Sequence, residues 1–337
     1  MNLEVNYLGL KLKNPVIIGA SNLVKDIHIL KKLEDAGASA IVYKSLFEEQ
    51  INLENYVLGE EISQYDDLNA ESSSFFHKEL YEAGPEEFLM NFKEAKKALN
   101  IPIIASLNAV FDDTWYEYAR KLEEAGADAL ELNFYNNPRD FGMQGRAILN
   151  EEIDTLKGVK KAVNIPVSVK LSPFYTNVLY TIRELEKAGA DGFVLFNKLF
   201  QPDIDIEKEE LYFPYNLSNE GENRLPMRYA GLLYGEMDAQ ICTNTGILSG
   251  KDVIKMILAG ADVVQVVSAI YKNGPQYVAN MLEDMELWMA NKGYQSLNDF
   301  RGKLSRKKLR DPFAYRRAQY VDILMNSDEI FKKYPLP

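Results

Sequence analysis

LEKAGADGFVLFN, at Leu185–Asn197, decides the fold, because three other stretches repeat its plan. They are LEDAGASAIVYKS at Leu33–Ser45, LEEAGADALELN at Leu122–Asn133 and ILAGADVVQVVS at Ile257–Ser268. Each joins the end of an amphipathic helix to a short apolar run through Ala-Gly-Ala. Glycine accepts the left-handed conformation that ends a helix, so the chain can turn straight into a strand. The apolar runs lack polar alternation, as parallel strands buried on both faces do.

Four more short apolar runs lie between these units: PVIIG at Pro15–Gly19, PIIAS at Pro102–Ser106, PVSVKL at Pro166–Leu171 and AQICT at Ala239–Thr243. Proline suits the first residue of a strand and not its middle. Interleaving the two sets predicts strands near residues 15–19, 40–45, 102–106, 129–133, 166–171, 192–196, 239–243 and 263–267. Helical patterns such as Thr114–Ala125, Asn150–Val163 and Val178–Ala188 fill most gaps. Eight strands alternating with helices fit an α/β fold of the (β/α)8 TIM-barrel type. The competing doubly wound sheet lacks a Gly-x-Gly-x-x-Gly after any early strand. LEVNYLGLKLKNP alternates around Gly9 and reads as a hairpin capping the barrel floor.

The expected organisation is one barrel domain over residues 1–303, with a tail over 304–337 packing on the barrel or on a partner. Leu46–Phe92, rich in acids, Ser and aromatics, and Phe196–Asp238, with Pro, Gly and Asn and little periodicity, exceed a minimal barrel. Both leave the C-terminal end of a strand, the face where barrel active sites sit, and so are candidate lids.

The 337 residues carry 38 Lys+Arg against 50 Asp+Glu, a formal charge of −12, with 47% apolar residues. An acid excess argues against nucleic acid as a partner, since phosphates demand a basic face. Cys242 is the only cysteine, which excludes an internal disulfide and a Cys-based metal cluster. No apolar run approaches the roughly 18 residues that span a bilayer, and no leader pattern opens the chain, so no membrane partner and a cytoplasmic location are expected.

Polar residues at strand C-termini of a barrel face the ligand. Here they are Ala20-Ser21-Asn22, Lys44-Ser45, Asn108, Asn133, Lys170, Asn197-Lys198, Thr243-Asn244-Thr245-Gly246 and Ser268. Lysine rarely sits inside an apolar strand unless paired or used, which makes Lys44 and Lys170 the most informative. The segments after strands seven and eight, Thr243–Ile247 and Val267–Ala269, occupy the usual phosphate position of such barrels. Neither His28 nor His77 falls at a strand end, no acid–histidine cluster has metal spacing, and Cys242 reads as a small core residue.

At these residues the chain resembles the soluble, FMN-dependent dihydroorotate dehydrogenases, and more closely the dihydroorotate-dehydrogenase-like proteins grouped with them. The segments that carry the resemblance are NPVIIGAS, VYKS, ADALELN, PVSVKLSP, VLFNKLFQPDID, ADVVQVVSAIYKNGP and NKGYQSLNDFRGKL. The resemblance implies an FMN oxidoreductase acting on a CH–CH bond of a small anionic substrate, and a homodimer. By it, Ala20, Ser21, Lys44, Ser45, Asn108, Asn133, Lys170, Asn197, Thr245, Gly246, Ile247, Val267 and Ser268 would hold cofactor or substrate. Lys170 would face the flavin N1 and O2 positions, where reduction places negative charge. Gly246, Ile247, Val267 and Ser268 would hold the phosphate.

The chain also departs from the family pattern. After ELN the family carries a Cys or Ser base, where this chain has Phe134-Tyr135-Asn136-Asn137-Pro138. Asn136 takes the base position, and an amide cannot accept a carbon acid's proton at neutral pH. The Asn-rich loop that grips orotate is not recognisable in Asn69–Pro85. The usual Gly-Gly pair is Thr245-Gly246, Lys198 stands for a Ser or Thr, and Val267 stands for a Gly. Tyr135 and Lys198 are the candidate acid/base substitutes, beside Lys44 and Asn136 as site residues. Two other classes compete with this one: a Schiff-base lyase or aldolase using Lys170, and a flavin-binding protein without turnover.

Overall fold

The computed structural model describes residues 1–47, 84–109, 112–134, 141–198, 202–214, 217–316 and 318–325, with Lys332. Eight parallel strands close into a barrel: β3 (Val16–Ile18), β4 (Ala40–Phe47), β5 (Ile103–Asn108), β6 (Ala129–Asn133), β7 (Val167–Leu171), β8 (Gly192–Leu195), β11 (Gln240–Thr243) and β12 (Val263–Val266). Each falls within a residue or two of an expected run, apart from the longer ends of β4 and β5. Ahead of them β1 (Val5–Tyr7) and β2 (Leu10–Leu12) form the antiparallel hairpin. It seals the N-terminal end of the barrel: Leu8 N donates to Gln240 Oε1 at 2.5 Å, and Gln240 Nε2 donates back to Asn6 O at 2.5 Å. A Cβ on Gly192 would meet the Leu8 side chain at 2.9 Å, so strand β8 begins with the one residue that admits the plug.

The repeated Ala-Gly-Ala turns do what their composition requires. Gly189, for example, sits at φ +107 between the helix Val178–Lys187 and β8. The residue after the turn has a further role that sequence reading missed. Asp191 Oδ2 accepts from Val167 N at 2.7 Å, and Asp191 N donates to Val167 O at 2.9 Å. The same double bond ties Asp128 to Ile103 and Asp262 to Ile241, while Ser39 holds Val16 O through both its hydroxyl and its N–H. Each clamp fixes the start of one strand against the next, and strand register decides which residues reach the lumen. Lys96, Lys160 and Arg301 neutralise the three aspartates.

Both stretches that exceed a minimal barrel hold regular structure. Within Phe196–Asp238 lie the hairpin β9 (Asp203–Asp205) and β10 (Glu210–Tyr212) and the helix Arg224–Leu233. The helix escapes a periodicity reading because RLPMRYAGLL contains Pro226; in the first turn, however, an N–H has no intrahelical acceptor to lose. Within Leu46–Phe92, β4 runs on to Phe47 and the helix Pro85–Ala98 begins. Residues 48–83, including His77, lie outside the described residues.

Beyond Leu304 the chain crosses the outside of the helices Arg224–Leu233 and Gly250–Ala259. Arg306 N donates to Gly231 O at 2.8 Å, Leu304 N to Leu258 O at 2.9 Å, and Arg228 holds the carbonyls of Ala314 and Tyr315 at 3.1 Å each. No helix among the described residues is long and apolar enough to cross a membrane.

Candidate active site

At the C-terminal mouth the described residues enclose a cavity of about 260 Å³. Its wall includes Ala20, Ser21, Lys44, Ser45, Lys170, Asn197, Lys198, Thr245, Gly246, Ile247, Val267 and Ser268. These come from the ends of β3, β4, β7, β8, β11 and β12, so barrel closure gathers residues far apart in sequence. Among the described residues three lysines and no carboxylate line it, although the chain as a whole is acidic. Asn133 and Asn108 stand outside the wall. Asn133 is buried and accepts from Asn197 Nδ2 at 3.0 Å, which makes it a support for Asn197. Asn108 lies at the end of β5, paired in register with Phe47. Tyr135 and Asn136 lie outside the described residues.

Lys44 and Ser45 both face the cavity, which alternation along a regular strand forbids. A β-bulge explains it: β4 pairs Tyr43 with Ala105 and Leu46 with Leu107, so β4 carries one extra residue. Bulges at barrel rims re-aim side chains in this way. Ser45 Oγ and Ser106 Oγ share a 2.7 Å hydrogen bond, which anchors the bulged segment to β5.

Burial and the neighbouring Lys25 ammonium pull the Lys44 pKa down to about 8. Lys44 is therefore charged below that pH and neutral above it. Its unfolded pKa lies near 10.4, so the unfolded chain holds more protons between the two values and stability rises with pH across that window. For an anionic substrate, binding weakens in the same direction. KM is expected to rise as pH passes about 8, and Lys25→Ala is expected to move that rise to higher pH, as read from pH profiles of KM.

Among the described residues the most enclosed charges are in the lumen. Lys170 on β7 is 5% exposed, and Glu131 on β6 and Gln265 on β12 are each 1% exposed. Lys170 Nζ lies 3.3 Å from Glu131 Oε1 and 3.4 Å from Gln265 Oε1, and Gln265 Nε2 donates to Glu131 Oε2. Glu131 and Gln265 were not expected as site residues, although the rule that singled out Lys170 applies equally to a carboxylate or an amide inside an apolar strand. Cys242 is fully buried, with its thiol pushed far up by burial and by Glu131, and takes no part in the cavity wall.

On the opposite rim, Thr245 and Gly246 adopt φ of +76 and +73 in succession. Thr245 is held in this sparsely allowed region by Oγ1, which donates to Phe196 O at 2.9 Å. Gly246 is sterically required, since a Cβ there would meet Asn223 N at 2.4 Å. Across from this turn the helix Ser268–Asn273 begins, with the Ile270 and Tyr271 amides donating to Val267 O at 3.0 and 3.1 Å. Val267 packs toward Gly19, where a Cβ would meet Val267 Cγ2 at 2.8 Å. Lys198 sits between cavity and rim loop, bound to both oxygens of Glu222 at 2.8 Å. Ser21 Oγ is buried against the cavity with no hydrogen-bond partner, a polar atom left for a ligand. Among the described residues no group of three His, Cys, Asp or Glu has the geometry of a metal site.

A sequence profile described as dihydroorotate dehydrogenase matches residues 2–289. The catalytic subunit of dihydroorotate dehydrogenase B (NAD(+)) from Pyrococcus abyssi is 28% identical over 307 residues, covering 89% of this chain and 98% of that protein. Its counterpart from Methanocaldococcus jannaschii is 29% identical over 281 residues, covering 81% and 88%. Dihydroorotate dehydrogenase A (fumarate) from Lactobacillus helveticus is 30% identical over 210 residues, covering 61% and 68%.

Proposed function

Because this chain belongs to the dihydroorotate dehydrogenase family, we propose that it is an FMN-dependent oxidoreductase acting on a CH–CH bond of a small anionic substrate. The observation that carries this reading is Lys170: a buried ammonium at the end of β7 lines the mouth of the barrel. A fixed cation in a dry site stabilises negative charge that develops beside it far better than one in water. The residues present fit the cofactor. Ser21 Oγ is unpartnered, the wall carries no described acid, and Gly246 has no room for a side chain where the backbone turns toward the cavity.

When bound, FMN would supply the hydride acceptor or donor. Around it, Lys170 would hold an ammonium toward the electron-rich edge, while Ala20 and Ser21 would line the ring. Gly246, Ile247, Val267 and Ser268 would present backbone and hydroxyl donors to the phosphate. Lys44 and Asn197 are left for the substrate, with Asn133 fixing the Asn197 amide. Lys198 has the charge to receive a second polar group, at the cost of its ion pair with Glu222. The amine of Lys170, engaged by both Glu131 and Gln265, is placed as a charged donor, which favours this role over a Schiff-base nucleophile.

Asn136 stands where the family has its base, so proton abstraction from dihydroorotate is the weak step of this chain. A positioned base contributes about 10²–10⁴-fold. Asn136→Cys is expected to raise the rate of dihydroorotate oxidation by that order, measured by stopped-flow bleaching of the flavin. An unchanged rate, with flavin bound and the variant folded, would show that the loop is not the place of the missing group.

A further inference from the structure

Glu131 does not line the cavity, yet it is the only carboxylate that the described residues place against Lys170. We propose that Glu131 and Gln265 are positioning residues that aim Lys170 at the cavity and set how much positive charge it presents there. This rests on the reading of the cavity as a flavin site.

The three side chains form a closed ring across the lumen. Glu131 and Lys170 come from adjacent strands, and Gln265 comes from β12, three places further round the barrel. Gln265 uses both ends of its amide, accepting from Lys170 through Oε1 and donating to Glu131 through Nε2. Neutralising a buried lysine needs only a carboxylate; a bridging amide that touches both partners fixes their relative positions as well. Each of the three is nearly inaccessible, and Glu131, which stands clear of the cavity wall, has Lys170 and Gln265 as its described hydrogen-bond partners.

Lysine has three N–H donors, and Glu131 and Gln265 take two. Their distances of 3.3 and 3.4 Å exceed the roughly 2.7–2.9 Å of a charge-assisted bond, so the ammonium is held without being drawn down onto its counterion. The third donor is left for what occupies the cavity. Glu131 also offsets part of the positive field, because its charge lies on the lumen side of the ammonium. Its removal unmasks Lys170, and an added negative charge at residue 265 masks it further.

The test is the two-electron midpoint potential of bound FMN in purified wild-type, Glu131→Gln, Gln265→Glu and Lys170→Met proteins and in the double variant Glu131→Gln/Lys170→Met. FMN dissociation constants are measured on the same samples. Reduction adds negative charge near the ammonium. Glu131→Gln is therefore expected to shift the potential positive and Gln265→Glu to shift it negative. In the Lys170→Met background the Glu131→Gln shift is expected to shrink, because the residue acts through Lys170. Equal potentials in all FMN-loaded proteins would assign the ring to packing alone and overturn the proposal, as would a Glu131→Gln shift undiminished without Lys170. If Glu131→Gln fails to fold, Gln265→Met removes the bridge without adding charge; a potential and FMN affinity equal to wild type would then count against the proposal. A wild-type protein that takes up no FMN would defeat the flavin reading itself, and this result is told apart by the missing absorbance before any potential is read.

Discussion

Lys170→Met is expected to lower the free energy of unfolding by about 3–5 kcal/mol, the range for breaking a buried ion pair from one side. The loss comes less from the missing ammonium than from what it leaves behind. Glu131 is 1% exposed, and its only other described hydrogen-bond partner is the Gln265 amide. A carboxylate so placed loses the counterion that offset its desolvation. The double variant Glu131→Gln/Lys170→Met removes both charges and keeps the side-chain shapes close to those of the wild type. It is expected to recover most of the lost stability, since a neutral replacement of a buried pair is often tolerated. Urea unfolding of the four proteins at neutral pH measures the cycle. Additive losses in the double variant would mean that the two side chains do not act as a pair.

Gly246→Ala is expected to cost about 2–4 kcal/mol and to weaken FMN binding by at least about tenfold. Two separate effects add. At φ +73 any Cβ carries the left-handed penalty of about 1–2 kcal/mol. The new methyl would also lie 2.4 Å from Asn223 N and 2.9 Å from Glu222 C, which are backbone atoms and cannot swing aside. Asn223 is pinned in turn, donating through Nδ2 to Gly246 O at 3.1 Å and to Asp252 Oδ1 at 2.9 Å. The turn itself must therefore move, and with it the amides that face the cavity. Gly9→Ala is the control: its φ is +74, but nothing lies within 4 Å of the added Cβ. That variant is expected to pay the backbone penalty alone and to leave FMN affinity unchanged, as read by fluorescence titration and thermal melts.

The barrel was legible because each repeat writes the same physical instruction, a helix end and a buried strand joined by a glycine. Apolar runs marked the strands, and the ends of those runs marked the mouth. Most of the cavity wall followed from that alone, from Ala20 to Ser268. What the sequence concealed depends on pairing between elements. The bulge that turns Lys44 and Ser45 toward the same space exists only in the register of β4 against β5. The aspartates of the AGAD turns look like ordinary surface acids until the neighbouring strand supplies its N–H. Glu131 and Gln265 sit in runs that read as apolar strands, and only closure across the lumen makes them partners of Lys170. The helix Arg224–Leu233 was hidden by Pro226, a residue that breaks helix interiors and is tolerated in a first turn.

The most direct test of the account is the absorbance spectrum of the purified, full-length protein before and after incubation with FMN and gel filtration. The flavin bands are expected to travel with the protein in equimolar amount and to be depleted in Gly246→Ala. A colourless wild-type protein that emerges from the column without FMN would contradict the assignment of the barrel mouth as a flavin site.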